Sequence, residues 1–393
     1  MLSEASGDAR GAQRSRSVRP VRVLLVDPSL FTAPYDAALT QGLLANGVHP
    51  SWAVRRTRPG EVQPIPAQFV EPLFYRHVDE APWLPTRARK WVKGVAHVWG
   101  LARLALRTWQ SRPDVVHFQW TVLPTMDALA MGLFKANGPV VLTVHDTTAF
   151  NGDRLPTAQT IGFDWPMRVA DRIIVHTQSA RETLVRRGVP VAKIAVIPHG
   201  PLPLLATPSR IASERRDGRY TIVLFGELKP YKGIDILVES IAHIPSEVRA
   251  RARFIVAGRP RMDLDPLVAR IRELSLESVI ELRPRRLADQ ELVDLLTEAN
   301  CFVFPYRQID ASGAYFLVAS LGKWIVASRV GVFSEELVDK RRGSLVPPND
   351  VYALASSLSQ AIESRPIPEA FDTVTGWAQI GRSTRSVYLI DDP

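Results

Sequence analysis

The chain has a single cysteine among 393 residues, Cys301, and it lies inside an apolar run. A disulfide framework is thereby excluded, a reducing compartment fits, and the thiol reads as a buried strand residue. No uncharged apolar stretch approaches the roughly 18–20 residues needed to cross a bilayer. Residues 1–19 are polar and Arg-rich without an apolar h-region, so they read as a disordered leader and not a signal peptide. Also missing are a GxGxxG fingerprint, a P-loop, a His/Cys cluster with zinc spacing and a GxSxG elbow. Asp263-Leu264-Asp265-Pro266 looks like a metal-binding DxD, but it serves better as the cap of a helix starting at Pro266. No metal and no cofactor is expected. Aromatic residues do not interleave with a basic patch in an RNA-binding pattern, so nucleic acid is not an expected partner.

Acid is missing locally as well. From Arg87 to Arg112 there are seven Lys or Arg and no Asp or Glu, in a chain of net charge +9 and pI about 9.9. Trp91, Val95, Val98, Ala102, Ala105 and Trp109 recur there at helical spacing. A basic amphipathic helix with tryptophans suits an anionic membrane surface, and the plainer alternative packs the apolar stripe on a sheet.

What is present is an alternation of buried-strand and helix patterns, enough apolar residues (46%) for two cores. Strands are expected at Arg22–Asp27, Trp52–Val54, Val115–Phe118, Val140–Val144, Ile173–His176 and Ile194–Ile197. After an aperiodic, Pro- and Ser-bearing stretch the pattern restarts at Thr221–Phe225, Phe254–Ala257, Val279–Leu282, Cys301–Phe304, Trp324–Ala327 and Ser344–Val346. The expected organisation is an α/β chain of two Rossmann-like, doubly wound parallel-sheet domains facing a cleft. It runs as a first domain at 20–203, a linker at 204–218 and a second domain at 219–372. A last helix at 373–393 is expected to cross back to the first domain.

Open parallel sheets bind anions at the carboxyl ends of their strands. Gly226, Lys229 and Lys232-Gly233 follow one strand, where lysines at the start of a helix suit a pyrophosphate. Asp310, Ser312 and Gly313 follow another. Gly313 allows close backbone approach, Ser312 offers a donor and Asp310 an acceptor for sugar hydroxyls; simple N-capping is the bland alternative. His145-Asp146 ends a first-domain strand, with His able to donate to a sugar hydroxyl or phosphate and Asp able to accept from an acceptor hydroxyl. His117 and His199 also end strands and are weaker candidates.

Together these residues resemble the GT-B glycosyltransferases classed as family 4. The resemblance runs from about Arg22 to Leu389. It is carried by Ala33-Pro34-Tyr35-Asp36, Thr143-Val144-His145-Asp146, Ile197-Pro198-His199-Gly200, Gly226 with Lys232-Gly233, Val256-Ala257-Gly258 and Gly322-Lys323. It implies a UDP- or GDP-sugar donor on the second domain, transfer with retention and without metal, and a lipid-linked or saccharide acceptor on the first. Residues 87–112 would meet the inner face of an anionic membrane, giving a cytoplasmic or peripheral location. By resemblance Lys232 holds the donor pyrophosphate with Lys229 in place of the usual Arg, and His145 touches the donor sugar. Counted back from Gly322 without gaps, the family's two glutamates, eight apart, fall on Ile309 and Leu317; a one-residue deletion, preferred because it also aligns Gly313, puts them on Asp310 and Val318. Either way the second carboxylate is missing, and Glu335 is the nearest substitute for it at the nucleotide ribose. A GT-B protein that binds without turnover, and a sugar-nucleotide epimerase, are the alternatives.

Overall fold

The computed structural model describes residues 20–58, 63–75, 86–148, 157–204, 206–209, 218–369 and 373–389. The expected leader at 1–19 and most of the linker lie outside them. Seven parallel strands form the first sheet: β1 Val21–Asp27, β2 Val48–Arg55, β3 Val70–Phe74, β4 Val115–Phe118, β5 Val140–Val144, β6 Arg172–Val175 and β7 Ile194–Val196. Their order is β3-β2-β1-β4-β5-β6-β7. Six more parallel strands form the second: β8 Tyr220–Phe225, β9 Ala252–Ala257, β10 Ile280–Arg283, β11 Cys301–Phe304, β12 Trp324–Ser328 and β13 Gly343–Val346, in the order β10-β9-β8-β11-β12-β13. Chain direction through each sheet reverses beside its first strand, at β1/β4 and β8/β11, which is where such sheets open a crevice. The doubly wound two-domain fold is therefore as the sequence predicts.

The central strands β4, β5, β8 and β11 are largely apolar because helices cover both faces of each sheet, so their burial pattern is continuous and not alternating. Two apolar clusters flank each sheet. One strand escapes sequence reasoning: β3 contains Pro72 and looked like irregular Pro-rich chain. It lies at the sheet edge, where a missing N–H leaves no interior ladder bond unmade.

The Thr86–Ser111 helix does not lay its tryptophan stripe on the sheet, as the plainer alternative had it. Its buried face is His97, Leu101, Leu104 and Thr108, whereas Trp91, Val95, Val98, Trp99, Leu106 and Trp109 are exposed. The inner face is locked by polar contacts: Tyr75 OH donates to His97 Nδ1 at 3.0 Å, and His97 Nε2 donates to Asp127 Oδ1 at 2.7 Å. Asp127 Oδ2 accepts from the backbone N–H groups of Val122 and Leu123, at the start of the Pro124–Phe134 helix.

The Thr373–Tyr388 helix follows the second sheet in sequence but packs on the Ala33–Leu44 helix of the first lobe. The two cross at glycines. A Cβ on Gly42 would stand 2.3 Å from the Trp377 carbonyl oxygen, and one on Gly381 2.0 Å from that of Gly42. Trp377 Nε1 also donates to the Pro201 carbonyl at 2.7 Å.

Candidate active site

On the second lobe, β8 ends at Phe225 and the chain turns through Gly226 with φ +95. A Cβ there would meet Lys232 Nζ at 2.8 Å, so glycine is what lets the lysine fold back beneath the turn. Lys232 does not open the helix as the sequence reading had it. It closes a 3₁₀ turn, Pro230–Lys232, and left-handed Gly233 then caps the Ile234–His243 helix. A Cβ on Gly233 would overlap the Pro305 carbonyl. Left-handed backbone breaks the helix one residue after the lysine, and the break drives Lys232 inward.

Lys232 as a whole residue is 5% exposed. Its ammonium donates to the Phe225 carbonyl at 2.9 Å and lies 5.5 Å from the centre of the Tyr306 ring. Burial pulls its pKa down to about 7; neighbouring Lys229 adds to the shift and Glu227 opposes it. Among the described residues no carboxylate forms an ion pair with it. Lys229 instead stands 3.5 Å from Glu227, which also holds Arg261 at 2.7 Å.

Ser312 takes the bland role weighed for it. Its hydroxyl accepts from the Tyr315 N–H and caps the Gly313–Ala319 helix. Gly313 is exposed, and a Cβ added there would meet nothing within 4 Å. Val318 is fully buried in apolar core, so no polar group replaces the missing carboxylate at that position. Asp310 Oδ2 accepts from both the backbone N–H and the hydroxyl of Thr147, across the cleft. Glu335 likewise reaches over. Its two oxygens accept the Gln178 and Ser179 N–H groups at 3.1 Å, at the start of the Gln178–Arg186 helix. Free amides at a helix start favour a carboxylate, so in this arrangement Glu335 joins lobe to lobe and its oxygens are not offered to a ribose.

On the first lobe His145 ends β5, buried, its ring stacked on Trp120 at 5.0 Å and edge-on to Tyr35 at 5.1 Å. Both ring nitrogens are engaged: Nε2 lies 3.2 Å from Gln119 and Nδ1 3.2 Å from His176 Nε2. Burial pushes His145 and His199 well down, His117 to about 3 and His176 to about 4, so all four rings are neutral near pH 7. His199 stacks on Phe316 of the second lobe at 3.8 Å. Asp146, half-buried, lines a small recess with Gln119, Trp120 and His145. Asp27 at the end of β1 and Asp36 in the first turn of the Ala33–Leu44 helix are buried together and both raised by burial, Asp27 to about 6.

Two family profiles match this chain: "Glycosyltransferase Family 4" over residues 37–200 and "Glycosyl transferases group 1" over residues 219–364. The chain belongs to the family 4 glycosyltransferases of the GT-B fold. It is 26% identical to a D-inositol 3-phosphate glycosyltransferase of Kineococcus radiotolerans, over 96% of each chain. Anabaena HepE, solved in complex with UDP and glucose, superposes with a TM-score of 0.64 at 17% identity, over 94% of this chain and 95% of that one. WaaG, a glycosyltransferase involved in lipopolysaccharide biosynthesis, gives 0.63 at 13% identity over 94% and 100%.

In this glycosyltransferase a cleft of about 460 Å³ opens between the lobes, lined among others by Thr147, Ser179, Arg307, Asp310, Arg329 and Glu335. The sequence singled out Asp310 and Glu335 on its second-lobe wall; His145 and Asp146, also singled out, line the separate recess beside Gln119 and Trp120. Thr147, Gln119 and His176 were not singled out. All three stand at or just past the carboxyl end of β5, β4 or β6, so position along the strand is the signal that finds them.

Proposed function

We propose that the enzyme moves a hexosyl group from a nucleotide-diphosphate sugar to a hydroxyl of a lipid-linked or saccharide acceptor, with retention and without a metal ion. The observation that carries this reading is Lys232, an ammonium held out of water at the end of β8 with a carbonyl and a ring face for partners. A diphosphate there would supply the missing countercharge, and Lys229, 14% exposed at its side chain, adds a second cation beside it. As the bond to the anomeric carbon breaks, negative charge grows on the departing diphosphate. Cations already fixed in a dry site stabilise that charge most. The open space around Gly313 leaves room for the sugar, which His145 would touch as Asp146 accepts from the acceptor hydroxyl.

An anionic membrane surface is the proposed setting. Trp91, Trp99 and Trp109 are 61% or more exposed on a helix rich in Lys and Arg, and Arg103 stacks against Trp99. No helix among the described residues is long and apolar enough to cross a bilayer, so the contact would be peripheral.

Thermal-shift screening against UDP and GDP tests the donor class, since a ligand that binds only the folded state raises its melting temperature. A selective rise with one of them is expected. Lys232→Met should abolish that rise and cut turnover by about 100-fold or more, the scale for losing one fixed charge-stabilising donor. Unchanged turnover would remove the phosphate role. Incubation with donor alone, read for hydrolysis or a new sugar, separates transfer from epimerisation.

A further inference from the structure

Hydrogen-bond direction can be followed through the buried first-lobe cluster from one fixed end. The Ile197 carbonyl only accepts, so His176 Nδ1, 3.0 Å away, carries a proton. A neutral His176 then offers a lone pair at Nε2, and His145 Nδ1 must donate to it at 3.2 Å. That leaves a lone pair on His145 Nε2, which needs a donor. Gln119 Oε1 stands there at 3.2 Å, and two acceptors do not hold each other. Turning the amide over exchanges its oxygen and nitrogen without changing its shape. The NH₂ then donates to His145, and the oxygen faces His117 Nε2, 3.4 Å away. His117 must therefore carry its proton on Nε2, where Thr143 Oγ1 also accepts at 2.8 Å. His117 Nδ1 is left to accept from the Tyr388 hydroxyl at 2.7 Å. Every link is buried, and Tyr388 arrives from the C-terminal helix.

We propose that Tyr388, His117 and Gln119 are positioning residues for His145. His176, anchored on the Ile197 carbonyl, accepts the Nδ1 proton, and the chain from Tyr388 through His117 and Gln119 holds the same tautomer from the other side by giving Nε2 a donor. Nε2 is thereby a pure acceptor, the place a donor-sugar hydroxyl takes from Gln119 when it binds. The proposal rests on the reading of the cleft as a nucleotide-sugar site. Its chemical content is selectivity. A hydroxyl can donate to that lone pair, whereas a carboxylate or a carbonyl at the same position of the sugar finds no proton there. Burial of all these groups agrees with it, because a neutral imidazole with two different nitrogens is the state that low solvation favours.

The test is nuclear magnetic resonance of the full chain labelled at histidine, with His145 assigned by its loss in His145→Gln. The wild type should show His145 protonated on Nδ1 and bare at Nε2, with no ligand added. Tyr388→Phe keeps the ring and removes the first donor. Gln119→Glu can only accept, so it draws a proton onto Nε2. Both should shift His145 toward the other tautomer and lower kcat about tenfold, while UDP, which lacks the transferable hexose that would reach His145, binds with unchanged affinity by calorimetry. A wild-type His145 protonated on Nε2 would overturn the proposal. So would a folded Tyr388→Phe and Gln119→Glu pair with wild-type tautomer and wild-type kcat. Failure of the wild type to bind UDP or GDP would instead count against the nucleotide site, and the tautomer measurement reads independently of it.

Discussion

A lysine amine inside a protein is a titration problem before it is a binding site. Lys232 moves from an ordinary 10.5 to about 7, chiefly through burial. Above about pH 10.5 neither folded nor unfolded chain holds this proton; between there and about pH 7 only the unfolded chain does. The unfolded state thus gains stability as pH falls across that window, and below about 7 the penalty on folding is complete. Unfolding free energy of the wild type, measured by urea titration, should therefore rise relative to Lys232→Met as pH is raised from neutral toward 10. The slope is at most about 1.4 kcal/mol per pH unit. Parallel curves for the two proteins would show that the ammonium is not desolvated. A phosphate ligand would push the same pKa back up, so its binding takes up a proton above neutral pH. The types and order of residues around Lys232 were readable in the sequence, including Gly226 and Gly233. Its inward direction was not, because that depends on left-handed backbone at Gly233 and on the Pro305 carbonyl arriving from a distant strand.

Among the elements, the Thr86–Ser111 helix teaches most about what periodicity leaves open. Its apolar positions fall into two stripes, and periodicity alone leaves open whether the one with the tryptophans packs on the sheet. The structure buries the other, because His97 can be satisfied by Tyr75 and Asp127 while small Gly100 lets the helix close on the Phe74 ring. A Cβ at position 100 would stand 2.2 Å from that ring. The tryptophans are left on the outside with the cations. Replacing Trp91, Trp99 and Trp109 together by alanine should reduce co-sedimentation with phosphatidylglycerol vesicles at least tenfold, since about 0.8 kcal/mol attends each buried CH₂ group. Turnover on a water-soluble acceptor should stay as it was. Equal sedimentation of both proteins would reassign the face. The buried strands β1, β4, β5, β8 and β11 were legible because parallel strands covered on both sides read as unbroken apolar runs. Strand β3 and the short Gly331–Glu336 helix were not, the first for its proline and the second for having only two buried residues.

At the scale of the whole molecule, the lobes meet through a few polar contacts that no local pattern announces. Asp310 takes two donors from Thr147, and Glu335 takes two amides from the Gln178–Arg186 helix. The sequence singled out these carboxylates but did not show them as clasps, because each partner lies more than 150 positions away. Glu335→Ala should leave the melting temperature within a few degrees, as expected for losing about 1 kcal/mol of capping. The radius of gyration of the unliganded protein by X-ray scattering should rise, and UDP should reverse the rise. If Glu335 served the ribose alone, the variant would bind UDP less tightly with no change in unliganded dimensions. The crossing of Gly42 with Gly381 has its own consequence for how the protein comes into being. Ile380, Val387 and Tyr388 belong to the same apolar cluster as Leu25, Leu39 and Trp52. During synthesis the second lobe can therefore reach its final form while the first still waits for its closing piece, reversing the usual N-terminal-first order.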